Sequence, residues 1–108
     1  MTALEQFRDE ASARIAAFDE ELLALRAARA DANADDEHDP EGSTLSNDWS
    51  RLAGLRAEAV AQLQQAEAAL IRVAQGDYGV CVTCGREIPA ERLAVRPAAL
   101  QCVACASR

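Results

Sequence analysis

The chain has 108 residues and a formal net charge of −7, from 18 acidic and 11 basic side chains. That balance excludes a non-specific nucleic-acid coat, which needs a surplus of cations to neutralise phosphates. Half the residues are hydrophobic but only 4% are aromatic, and much of the hydrophobic half is alanine, so a large globular core is excluded too.

Every basic residue is Arg and none is Lys, a weak mark of a GC-rich genome. The opening residues, Met1-Thr-Ala-Leu-Glu-Gln-Phe-Arg-Asp-Glu, carry acids where the apolar stretch of an export signal would stand. No run approaches the ~20 apolar residues of a membrane span. A cytoplasmic location is therefore expected, where thiols stay reduced and metal binding prevails over disulfides.

Residues 3–30 lack Gly and Pro and are rich in Ala, Leu, Glu and Arg, all good helix formers. Apolar residues recur at Leu4, Phe7, Ala11, Ile15, Phe18, Leu22 and Leu25, close to a heptad seam with one wide step. Residues 31–43 break the pattern with Pro40 and Gly42, and Ser43 or Thr44 is the expected N-cap of the next helix. A second seam runs through Leu45, Trp49, Leu52, Leu55, Ala59, Leu63, Ala66, Leu70 and Val73. Gly54 is tolerated inside it at a cost of ~1 kcal/mol, and Gly76 fits a C-cap.

Two matched seams joined by a short polar connection predict an antiparallel coiled-coil helical hairpin. Its longer arm is roughly 45 Å at about 1.5 Å per residue. Two helices of an intermolecular coiled coil are the competing arrangement. The expected fold class is mainly α. A hairpin fills residues 1–75, with helices about 3–30 and 44–75 and an acidic tip at 31–43. A small four-cysteine zinc finger fills 76–108.

The finger carries all four cysteines, as Cys81-Val-Thr-Cys84-Gly and Cys102-Val-Ala-Cys105, with seventeen residues between the pairs. A two-residue gap lets both thiolates of one knuckle face one ion, and the loop returns the second pair to close a tetrahedron. Gly85 suits the positive φ such a turn needs. Four sulfur ligands leave no open position, so one structural zinc is expected rather than a catalytic one. It would stand in for a core that about thirty residues cannot supply. Two disulfides, a thioredoxin-like redox pair, or iron in place of zinc are the alternatives.

The string Gly76-Asp-Tyr78-Gly79-Val-Cys81-x2-Cys84-Gly85-x2-Ile88-x3-Arg92-Leu93-x3-Pro97-x4-Cys102-x2-Cys105 closely resembles the zinc finger of the DksA/TraR family. The resemblance covers residues 76–105 in residue type as well as spacing. It implies a bacterial, monomeric regulator that binds RNA polymerase and inserts an acidic hairpin tip into the secondary channel, with no direct DNA contact and no membrane. It implies that Tyr78 and Ile88 pack the finger core. Arg92 is the one finger arginine carried by the family pattern, where it is either structural or interfacial, and it is the candidate partner contact on the finger.

Six acids lie between Asp31 and Glu41, with no basic residue among them. The family's tip motif has two Asp three apart, then Ala two further on. Asp36 and Asp39 match the two Asp, and Glu41 stands where the Ala would be. Together these three are the candidate tip contacts. A solvated turn is the plainer reading of the same charge run. His38, the single His, is flanked by acids and reads as exposed. Trp49 serves either the seam or a partner contact. Arg86, Arg92 and Arg96 offset thiolate charge or form a docking face.

The charge is divided: residues 1–71 hold six Arg against fifteen acids, and residues 72–108 hold five Arg against three acids. The expected function is a non-enzymatic regulator bound to RNA polymerase. A zinc-finger protein–protein adaptor with no effect on polymerase catalysis, and a redox sensor that releases zinc, are the alternatives. An enzyme is not expected, because no nucleophile–base constellation is present and the metal shell is closed.

Overall fold

The structure, a computed structural model, describes residues 2–35 and 41–107, with the side chains of all of these but 32–35 and 41–44. The expected tip residues Asp36 and Asp39 lie outside the described residues. So does His38, and Glu41 is described only as the first residue of a helix. Four helices run in order: α1 (Ala3–Asp35), α2 (Glu41–Gln75), α3 (Ala90–Val95) and α4 (Val103–Ala106). There is no strand among the described residues, only an isolated antiparallel bridge between Val80 and Glu87. No helix among them is long and apolar enough to cross a membrane.

α1 begins on a capping box. Thr2 Oγ1 accepts from the Glu5 backbone N–H at 3.2 Å, while Glu5 Oε1 accepts from the Thr2 backbone N–H at 3.2 Å. Two orphan donors of the first turn are thereby satisfied. The Thr2 hydroxyl also donates to Glu5 Oε1, and these bonds hold the Glu5 carboxyl below its ordinary range. The signal for this start is the Thr-x-x-Glu spacing, and the apolar pattern alone does not show it.

Both long helices run further than the apolar seams predict. α1 continues past residue 30 to Asp35, and α2 starts at Glu41 rather than 44. The seam ends at Leu25, but Ala at 27, 28, 30, 32 and 34 sustains the helix without it. α2 starts directly after Pro40, so Ser43 and Thr44 lie inside its first turn and neither is the N-cap.

The chain forms two compact units, Ala11–Ala61 and Met1–Glu10 with Gln62–Arg108. Within Ala11–Ala61, two cross-helix contacts fix the pairing. Arg56 donates from Nε to Asp19 Oδ1 and from Nη2 to Asp19 Oδ2 at 3.4 Å. The Arg26 guanidinium lies over the Trp49 ring, 5.8 Å from its centroid. Moving seven residues forward on α1, from Asp19 to Arg26, moves seven back on α2, from Arg56 to Trp49. The helices are antiparallel, one heptad apart at the two contacts.

That register corrects the second seam. Leu55 is 38% exposed and Val73 48%, whereas Leu52, Ala59, Ala66 and Ala69 are buried. The inward face runs Leu45, Trp49, Leu52, Arg56, Ala59, Leu63, Ala66, Leu70, alternating steps of four and three without a break. Leu55 resembles a seam position because it is apolar. Strict alternation lands instead on Arg56, which α1 answers with Asp19. The first seam stands as expected, with Leu4 and Ala11 buried and the rest half-buried. Four of the buried helix residues are Ala, so backbones approach closely but little apolar area is hidden per residue.

A polar pair at a seam position specifies register more than it adds stability. Asp19→Arg and Arg56→Asp alone each set like charges against each other and should lower the urea midpoint followed by far-UV circular dichroism. The double exchange should restore most of the loss, which a double-mutant cycle reads directly. A double variant no better than the sum of the singles would remove the pair from the account of the register.

Candidate metal centre

α2 is closed by a left-handed glycine. Gly76 has φ +81°, its N–H donates to Val73 O at 3.1 Å, and the Asp77 N–H donates to Arg72 O at 2.9 Å. This pair of bonds is a Schellman cap, and it satisfies two carbonyls of the last turn. Arg72 then reaches past the cap. Its Nη2 donates to Asp77 O at 2.9 Å and Val80 O at 2.7 Å. One side chain thus ties the end of α2 to the chain entering the first cysteine knuckle.

The knuckle itself is a tight turn. The Cys81 N–H donates to Arg86 O at 2.8 Å, and the Gly85 N–H donates to Cys81 O at 3.0 Å. Gly85 takes φ +75°, as its place after Cys84 predicts; an L side chain there costs about 1–2 kcal/mol. The second knuckle begins at Cys102, which precedes α4 and whose carbonyl accepts from the Ala106 N–H at 2.9 Å. A bond from the Val82 N–H to Leu100 O at 2.9 Å joins the two knuckles, and Gln101 Nε2 donates to Thr83 Oγ1 at 2.8 Å.

The four sulfurs converge. Cys81, Cys84, Cys102 and Cys105 have Sγ atoms all within 4.8 Å of one another. Cys84 and Cys102 are 3.9 Å apart, Sγ to Sγ. A tetrahedral ion with bonds of about 2.3 Å sets sulfurs about 3.8 Å apart, so the spacing fits one zinc held by four thiolates. Cys81 and Cys105 are buried, Cys102 is half-buried and Cys84 is exposed. The apolar part of the site is small: Cys81, Ile88 and Cys105, with Leu93 and Cys102 packed against them. Ile88 is in this core as expected. Tyr78 is half-buried, and its hydroxyl donates to Pro97 O at 2.8 Å.

Charge on the sulfurs is unevenly supported. The backbone N–H of Cys84, and after it that of Cys102, holds the Cys81 thiol at about 6. The backbone N–H of Cys105 lowers Cys102. Cys105 moves the other way: the neighbouring Cys102 and then burial push it up to about 12. The knuckle amides stabilise the first negative charges, and further charge within a few ångströms is resisted until a cation is present. Bound there, zinc would supply cross-linking and charge neutralisation; with all four positions taken by sulfur, none is left for a substrate.

Of the finger arginines, Arg92 is half-buried and its Nε donates to Gln101 O at 2.8 Å, which braces the chain leading into Cys102. Arg86 and Arg96 are exposed. The Arg92 brace is the structural alternative expected for that residue, whereas the sequence does not mark Arg72 as a brace. Both act on backbone carbonyls, and a carbonyl acceptor leaves no trace in residue type.

Zinc must displace the Cys105 proton, so its binding releases protons and its affinity falls as pH falls. Competition against a chromophoric chelator should show a loss of at least about tenfold per pH unit, the slope for one proton. The slope should steepen below about pH 6, where Cys81 also protonates. A flat profile would contradict this charge assignment. Gly85→Ala should weaken zinc by roughly five- to thirtyfold in the same assay, from the positive φ alone; unchanged affinity would show that the turn adapts freely.

Residues 76–108 match the family described as the prokaryotic dksA/traR C4-type zinc finger. A protein of Aquifex aeolicus (strain VF5), described as uncharacterized, is 40% identical over 47 residues. That match covers 44% of this chain and 32% of the Aquifex protein, so the chain spans about a third of that relative. The solved structure of transcription factor DksA2 from Pseudomonas aeruginosa is similar over 97% of this chain and 75% of its own, with a TM-score of 0.80 and 28% identity. The fold, a long α1/α2 hairpin with a C-terminal cysteine finger, is therefore shared with that transcription factor. Residues 76–108, with their four converging sulfurs, are thus similar to the dksA/traR C4-type zinc finger in sequence and in the metal set they assemble.

Proposed function

We propose that this chain is a non-enzymatic transcription regulator that binds bacterial RNA polymerase. The observation that carries the reading is the likeness of nearly the whole chain, helices and finger together, to transcription factor DksA2. A finger match alone would leave the helices unexplained, and finger modules serve many partners.

In this reading the helical hairpin enters the secondary channel of the polymerase. Asp36, Asp39 and Glu41 are its contacts there, and Arg92 is the contact on the finger. The chemistry is electrostatic. Six carboxylates within eleven residues are drawn to a basic channel wall and perturb groups around a catalytic Mg²⁺. Glu41, where the family motif has Ala, adds a further negative charge beside the two Asp. The zinc is structural and the protein acts in the cytoplasm as a monomer.

The test is a polymerase binding assay paired with in vitro transcription, using the zinc-loaded chain and the Asp36→Ala/Asp39→Ala double variant. Wild type should bind and alter transcript yield from test promoters. The double variant should keep binding within about threefold yet lose the transcriptional effect by about tenfold or more. Binding without any transcriptional effect from wild type would favour the adaptor reading. No binding at all would overturn the proposal.

A further inference from the structure

The backbone of the finger is braced by side chains that donate to its carbonyls. The Tyr78 hydroxyl donates to Pro97 O and Arg92 Nε to Gln101 O, both at 2.8 Å and both from within residues 76–108. Arg72 does the same from outside that span, on the last turn of α2. It lies in the same compact unit as the finger, Met1–Glu10 with Gln62–Arg108.

The connection that Arg72 spans is permissive backbone. Gly76 has φ +81° and Gly79 has φ +87°, so the chain turns there at residues with wide conformational freedom. Arg72 grips it on both sides of Gly79. Its Nη2 carries two hydrogens and donates to Asp77 O at 2.9 Å and to Val80 O at 2.7 Å. Its own carbonyl accepts from the Asp77 N–H at 2.9 Å.

The Val80 carbonyl is the acceptor that matters for the metal. It shares one rigid peptide plane with the Cys81 N–H, which donates to Arg86 O at 2.8 Å. That plane is therefore held at its oxygen by Arg72 and at its nitrogen by the knuckle turn. The plane after Cys81 is held as well, because Cys81 O accepts from the Gly85 N–H at 3.0 Å. With both flanking planes fixed, the direction of the Cys81 Cβ is fixed. Cys81 is the most buried of the four ligands, 1% exposed, and sits in the small apolar core with Ile88 and Cys105.

We propose that Arg72 is a positioning residue of the metal centre. From α2 it aims Cys81 at the shared ion, and through it metal binding and the C-terminal end of α2 become one cooperative unit. Such coupling is reciprocal: what Arg72 adds to metal affinity, the bound metal returns as order at the helix end. Partners that orient a ligand typically carry about ten- to a hundredfold of metal affinity. The proposal rests on the metal centre alone and is independent of the polymerase reading.

The full-length chain is titrated with Co²⁺, whose visible absorption reports the geometry of the four sulfurs, and then with Zn²⁺ in competition. Arg72→Met keeps the aliphatic stem and removes the donors. It should weaken both metals about tenfold or more and alter the Co²⁺ spectrum. Arg72→Lys, whose ammonium also offers several hydrogens from one nitrogen, should recover most of the loss. Arg86→Met removes an exposed finger cation and should stay within about twofold, which separates bracing from simple attraction of thiolates. A second measurement needs no variant. Zinc should slow hydrogen exchange at the Gly76 and Asp77 amides of wild type about tenfold or more, and by less than about twofold in Arg72→Met. Unchanged affinity and spectrum in Arg72→Met overturn the proposal. So does an equal loss in Arg86→Met, no recovery with Arg72→Lys, or exchange at Gly76 and Asp77 indifferent to zinc in wild type.

Discussion

Four sulfur atoms within 4.8 Å of one another are an arrangement a protein does not hold without a reason. Thiolates at that spacing repel, and thiols there gain little from packing. The local backbone is nevertheless built to bring them together. Two knuckles turn so that amides face the sulfurs, a bond between Val82 and Leu100 joins the knuckles, and Arg92 braces the approach to the second. A dication allows all four sulfurs to be thiolates, and it does so while closing a loop whose apolar core is three residues with two half-buried neighbours. The rest of the finger depends on that closure, including the chain that Arg72 ties to the end of α2.

The helices rest on a different constraint. Their buried positions are largely alanine, so close approach replaces bulk and little apolar surface is hidden. With so shallow a core, register is weakly specified by apolar packing alone. Asp19 with Arg56, and Arg26 with Trp49, supply the specification, one heptad apart. The second of these contacts also lines an open pocket with Arg29 and Ala30.

How much of this is legible in the residues depends on the material of each feature. The metal set is legible because thiolate ligands must be cysteines at knuckle spacing, and Gly85 and Gly76 because positive φ selects glycine. The helices are legible as elements, but their ends are not. The apolar seam marks only where a helix is packed, and alanine carries α1 on to Asp35. Leu55 misleads because its hydrophobicity outweighs strict alternation in a single segment. Arg56 holds the position through a partner on the other helix, which that segment does not reveal. Arg72 braces backbone carbonyls, and those have no letter in the sequence; Arg92 is legible as structural or interfacial, but its acceptor, Gln101 O, is not.

The account turns on one closed, all-sulfur zinc site that makes residues 76–108 a folded module. Zinc K-edge X-ray absorption on the purified chain measures that shell directly. The prediction is one zinc per chain with four sulfurs at about 2.3 Å and no lighter neighbour in the first shell. A shell with a water oxygen or a nitrogen in place of any sulfur would contradict it.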